Sequence, residues 1–206
     1  MPVMVVVLTD GRQGDPTVRQ LPPTDPVRMD RETALVTLRQ REVAGALRVL
    51  GVDAHEFLGA RDGSLREQVE DLAPRLASIL DRWQPDSILL PFLTDRHVDH
   101  FAANSCLMAA AAQASGAWKT EAQCLGYEIW SPIYANLLVD VSDTMPLKRE
   151  AIRCHESQIA DADYLAGIEG LNRYRAVSGL ATGTHAEAFY AAPFPAYQAL
   201  YGEMLL

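Results

Sequence analysis

The chain lacks the features of a membrane, secreted or nucleic-acid-binding protein. Its longest apolar runs, such as Val3 to Leu8, fall far short of the roughly 20 residues needed to cross a bilayer. The first residues carry no basic segment and no cleavage-like small residues, so no secretory signal is read. A net charge of -9, unrelieved by any Lys/Arg run, argues against non-specific nucleic-acid binding. Cysteine is sparse: Cys106, Cys124 and Cys154 lack close pairing and metal-type spacing. Reduced thiols in a cytoplasmic protein are the simplest reading. Two chemical signatures are also missing, a Gly-rich phosphate loop of the Walker or Rossmann type and a nucleophile elbow.

What remains is an α/β pattern in a single domain spanning residues 1–206, long enough for a full hydrophobic core. Val3 to Leu8 is β-branched and continuous, as expected of a parallel strand covered on both faces. It runs into a polar loop, Thr9 to Asp15, and a proline-rich stretch, Thr17 to Pro26, expected to be irregular. A helix is expected from about Asp30 to Leu50, closed by Gly51. Ala54 to Leu58 reads as a strand, and Leu65 to Trp83 as an amphipathic helix with Pro74 as a kink or late start. Asp86 to Pro91 is a third strand, followed by an alanine-rich helix from about Asp99 to Gly116. Three strand-to-helix units in series imply a mostly parallel, Rossmann-like sheet in three layers. Beyond Gly116, strands are expected over Gln123 to Trp130 and Leu137 to Val141. A charged helix from Met145 to Ala160 and a mixed tail follow. No linker divides the chain.

The richest chemistry follows the third strand, at Arg96-His97-Val98-Asp99-His100. Open α/β sheets bind and react at the carboxyl ends of their strands. Two imidazoles and a carboxylate within four residues supply a metal ligand, a proton-transfer group and an orienting partner. The bland alternative is a helix N-terminus capped near Asp99 with two solvent-facing histidines. Asp10 and Asp15 leave the first strand and Asp62 the second, where carboxylates suit hydroxyl-rich ligands; a turn-forming aspartate is as good a reading for each alone. Arg39 sits with Glu42 on the first helix, where a weak surface ion pair is the plain expectation. His55, His155 and His185 read as structural or exposed positions.

In order, these segments resemble the PIG-L/LmbE family of zinc-dependent N-acetylglucosaminyl deacetylases. The resemblance rests on Val5 to Gly11, Arg39-Gln40-Arg41-Glu42, Phe57 to Gly63, Pro85-Asp86 leading to His97-Val98-Asp99-His100, Lys148 with His155 to Gln158, and Ala186 to Phe189. Tyr127 to Pro132 also looks like members that act on small sugars. The resemblance implies a zinc ligand at His100, an imidazole assisting at the amide at His97, and its orienting carboxylate at Asp99. Asp15, Arg39 and Asp62 fall at positions that resemble substrate contacts. Val98 stands where the family usually has proline, which alters loop stiffness more than chemistry.

The family segment A-H-P-D-D-E, which carries two zinc ligands and the general base, is not found in this chain. The first strand and first helix of the family fold are therefore expected to be missing, with neighbouring strands left as edges. Three explanations stand: a longer natural protein in which Met1 is internal, an inactive remnant, or a partner chain that supplies the strand. The implied activity is zinc-dependent hydrolysis of the N-acetyl group of an N-acetylglucosamine-type sugar, releasing acetate. A homo-oligomer, trimer or hexamer, is implied with it. The rival is a non-catalytic sugar-binding protein of the same fold.

Overall fold

The structure, a computed structural model, describes residues 2–160 and 162–205. The valine-rich run folds as β1 (Met4–Thr9) and pairs in parallel with β2 (Ala54–Ala60), Met4 opposite Ala54 and Thr9 opposite Ala60. Between them lie α1 (Pro16–Arg19) and α2 (Pro26–Val49). The proline-rich stretch is thus less irregular than expected, and α2 starts four residues before Asp30. Asp15 and Asp25 cap the two helices, each followed by a proline at the first helical position. There the ring's fixed φ suits the helix and its missing N–H costs nothing. Gly51, at a φ of +70°, ends α2 as expected.

A 3-10 turn (Leu65–Gln68) leads into α3 (Val69–Trp83), which accommodates Pro74 in its second turn. Then come β3 (Ser87–Pro91), α4 (Val98–Gln113), α5 (Trp118–Glu121) and β4 (Gln123–Tyr127). β5 (Leu137–Asp140) precedes α6 (Met145–Arg153) and α7 (Glu156–Ile159), so the charged helix expected over Met145 to Ala160 is broken at Cys154-His155. The tail folds as α8 (Tyr164–Gly179), β6 (Ala186–Pro193) and α9 (Phe194–Glu203).

Among the described residues the strands form two sheets, β1–β2 and β3–β4–β6–β5. Within the second, only β6 runs against its neighbours. Helices α3 and α4 pack together on one face, and α2 packs with α6 on the other, giving the expected three layers. Met4, Val6 and Leu8 join the core built from α3, α4, β3 and β4, while Val7 turns towards Arg39 and Val43 of α2. Gly126 of β4 lets Phe92 lie against the strand, since a Cβ there would meet its ring at 2.5 Å.

Asn104, fully buried on α4, donates to the carbonyls of Pro91 and His100 and accepts from the Tyr197 hydroxyl at 2.9 Å. That network fixes the first turn of α4 against the carboxyl end of β3, and so positions the histidines. Among the described residues, the edge of β1 away from β2 and the edge of β3 away from β4 have no strand partner. Every residue of β1 is only half-buried, and Leu89 of β3 is 57% exposed. No helix among the described residues is long and apolar enough to cross a membrane.

Candidate active site

The carboxyl ends of β1, β2 and β3 open into one crevice made of two adjoining cavities. The inner, of about 270 Å³, is lined by Val7, Asp10, Arg39, Asp62, His97 and His100 among others. The outer, of about 650 Å³, shares Arg39, Asp62, His97 and Gln158 with it and adds Arg19, Trp130 and Tyr164. His97, His100, Arg39 and Asp62 are therefore brought together as expected. Asp15 is not among the lining residues. Its carboxylate accepts from the Thr17 hydroxyl and from the N–H groups of Thr17 and Val18, which hold it below the usual carboxylate range.

His97 caps α4 in extended backbone, and its Nδ1 accepts the Asp99 N–H at 3.2 Å. With that lone pair engaged, the neutral ring carries its proton on Nε2. His100 is arranged the opposite way. Its Nδ1 lies 2.9 Å from Asp95 Oδ1, so it donates there and leaves the Nε2 lone pair free. The rings lie 4.6 Å apart, centre to centre. One imidazole thus offers a donor and its neighbour a lone pair.

The carboxylate that meets an imidazole ring is Asp95, on His100. Asp95 is 7% exposed and also accepts the N–H groups of His97 and Trp130. Burial opposes its charge, but those bonds and His100 outweigh it and hold its pKa below the ordinary value. The expectation that Asp99 steers His97 through its carboxylate gives way to a different arrangement. Both Asp99 oxygens are taken by the N–H groups of Gly63 and Leu65, at 2.6 and 3.1 Å. The signal for Asp95 was present in the sequence: an aspartate two residues ahead of a helix-capping histidine can fold back on the following N–H groups.

Asp62 accepts the Gln13 N–H at 3.0 Å. Burial raises its pKa above 3.8, Gln13 opposes the rise, and the neighbouring carboxylates of Asp99 and Asp10 add to it. Between 3.8 and the raised value the folded chain holds a proton that the unfolded chain has lost. Stability therefore falls as pH rises through that window and stays lower above it. Asp62→Asn, which keeps an acceptor for Gln13, is expected to raise the melting temperature at pH 7. The gain should shrink as pH falls towards 3.8, where the folded carboxyl, with its pKa raised, is more protonated than the unfolded one. Thermal melts at the two pH values check this, and an equal gain at both would contradict it.

Arg39 makes no ion pair with Glu42, contrary to the plain expectation. Glu42 is buried and accepts the N–H and hydroxyl of Ser157, at 2.6 and 2.7 Å. His155 lies close by and bonds Gln158; burial lowers its pKa, Glu42 opposes that and Arg39 adds to it. Glu187 pairs with Lys148 rather than with the crevice, and His55 is an exposed strand residue as expected.

A profile of the family described as PIG-L, GlcNAc-PI de-N-acetylase, matches residues 1–111. The chain belongs to the PIG-L family. The matched region runs from β1 into α4 and holds Asp10, Arg39, Asp62, Asp95, His97 and His100. Solved structures share the fold. N,N'-diacetylchitobiose deacetylase from Pyrococcus horikoshii is 24% identical with a TM-score of 0.70, over 95% of this chain and 74% of that one. The conserved protein TT1542 from Thermus thermophilus is 24% identical with a TM-score of 0.67, over 94% and 96%. GalB, the 4-carboxy-2-hydroxymuconate hydratase from Pseudomonas putida KT2440, is 20% identical with a TM-score of 0.66, over 93% and 84%. A hydratase on this fold means that chemistry must be argued from the site.

Proposed function

We propose that this PIG-L family chain hydrolyses the N-acetyl group of an N-acetylglucosamine-type sugar or conjugate, releasing acetate and the free amine, with zinc as its cofactor. The observation that carries the reading is the pair of oppositely arranged imidazoles at the carboxyl end of β3. His97 directs an Nε2–H into the crevice, where it meets the amide oxygen as negative charge develops there. The departing nitrogen takes the proton that the attacking water gives up, and His97 keeps its own proton as the C–N bond breaks. Arg39 and Asp62 contact the sugar hydroxyls. Asp15 acts at one remove, by fixing the loop after β1.

His100, braced by Asp95, suits one metal position. Among the described residues, no group of three or more His, Cys, Asp or Glu could hold a metal ion. A catalytic zinc takes three protein ligands, so His100 supplies part of a set that these residues do not close. That observation favours a second reading, a sugar-binding protein without catalysis.

Zinc content and acetate release from N-acetylglucosamine conjugates separate the two. Zinc-dependent acetate release with weak zinc retention is the expected result, since the described residues supply only part of the ligand set, and His100→Ala should lose the metal. Sugar binding with neither zinc nor acetate would overturn the hydrolase reading in favour of the second.

A further inference from the structure

Asn104 clasps both ends of the segment that carries the imidazoles. Its Nδ2 donates at 2.9 Å to the carbonyl of Pro91, the last residue of β3. The same nitrogen donates at 3.1 Å to the carbonyl of His100, in the first turn of α4. Between those anchors run residues 92–99, which hold Asp95 and His97. Both amide hydrogens are spent, so Oδ1 must find a donor in a place that water does not reach. Asn104 is 0% exposed, and the donor is the equally buried Tyr197 hydroxyl on α9, at 2.9 Å. Burial raises the Tyr197 pKa above the usual phenol value, so the hydroxyl keeps its proton for that bond. Without it a buried oxygen is left unpaired, and the amide finds a new donor only by turning away from Pro91 and His100.

The effect reaches the imidazoles because their own bonds span the clasped segment. Asp95 lies inside it and accepts from His100 Nδ1, while His97 Nδ1 accepts the Asp99 N–H at the start of α4. A second hydroxyl joins α9 to α4 one turn further on, where Tyr201 donates to Ser105 Oγ at 2.9 Å. Among the described residues that serine has no side-chain bond to β3 or to the segment after it.

We propose that Tyr197 is a positioning residue for His97 and His100, acting from α9 through the Asn104 amide. It lies beyond the matched family region, residues 1–111, and lines neither cavity of the crevice. The proposal deepens the hydrolase reading and rests on it only for the effect on rate.

Proton–nitrogen correlation spectra of the histidine rings test it on the full chain, in wild type, Tyr197→Phe and Tyr201→Phe. Each variant removes one hydroxyl from the same pair of helices. Tyr197→Phe should move the resonances of His97 and His100 and leave His55, His155 and His185 in place. Tyr201→Phe should move none of the five, even where thermal melts show as large a loss of stability. Asn104→Asp sets an acceptor against both carbonyls and should move the same two rings as Tyr197→Phe. In acetate release, Tyr197→Phe should lower kcat about tenfold at unchanged KM, the low end of what outer partners of a metal ligand cost. Tyr201→Phe should leave both constants near their wild-type values. Unmoved rings in Tyr197→Phe, equal effects of the two tyrosine variants, or different rings moved by Asn104→Asp would overturn the proposal. Ring movement with no acetate from wild type keeps the proposal and sinks the hydrolase reading. Acetate with unmoved rings does the reverse.

Discussion

Replacing Glu128 with alanine should cost the fold about 3–5 kcal/mol, the loss typical of removing one partner from a buried ion pair. Arg175 on α8 grips Glu128 with two nitrogens, Nε to Oε1 at 3.0 Å and Nη2 to Oε2 at 2.5 Å. The side chains are 6% and 13% exposed, so neither charge is well served by water once the other is gone. The same groups tie down the backbone of the next turn. Ile133 donates its N–H to Oε2, and its carbonyl accepts from Arg175. The alanine variant therefore strands a guanidinium and frees the segment that carries Trp130 to the crevice. Chemical denaturation measures the loss. A change under about 1 kcal/mol, the ordinary value of a surface pair, would show that the contact is not buried in solution. Replacing both residues by leucine should recover much of the loss.

The second large effect is on chemistry. His97→Ala is expected to lower the rate of acetate release by about 10²- to 10³-fold, the usual cost of removing one donor to a developing oxyanion. Zinc content should stay at the wild-type level, because the variant removes a donor and leaves His100 and Asp95 in place. His100→Ala should fail in the reverse order, losing metal first and rate as a consequence. Metal analysis beside steady-state rates distinguishes them. Equal zinc loss in both variants would mean that the two imidazoles share one role.

The β1 to α4 half of the chain was legible because its signals are local. A run of three valines, a 3.6-residue apolar period in α3 and the apolar strand before His97 each point one way. The start of α2 was hidden by prolines that normally mark loops, although the Asp15-Pro16 and Asp25-Pro26 pairs are helix openings once recognised. The tail resisted for another reason. β6 is rich in alanine, a weak strand former, and is a strand because β4 and β5 pair with it on both sides. Tertiary pairing decides that element, and no window of sequence contains it.

At the site, the residues were readable and their wiring was not. His97 and His100 follow from the strand they leave and from the fold class. Asp95 and Asp99 flank them at similar spacing, so which carboxylate steers an imidazole depends on where the loop after β2 lands. It lands on Asp99. The loss of the expected Arg39–Glu42 pair has the same origin, since α7 reaches Glu42 from more than a hundred residues away and leaves the arginine to the cavity.

The division of the sheet gives one carboxylate a mechanical duty. Among the described residues no ladder of backbone bonds joins the β1–β2 unit to the β3 unit, so the strands do not by themselves set the spacing between Asp62 and the imidazoles. Asp99 does much of that, standing on α4 and clasping two N–H groups of the loop that leaves β2. That side-chain latch fixes how the loop sits beside the imidazoles, while the apolar core shared by β1, β2, α3, α4 and β3 holds the two sheets together.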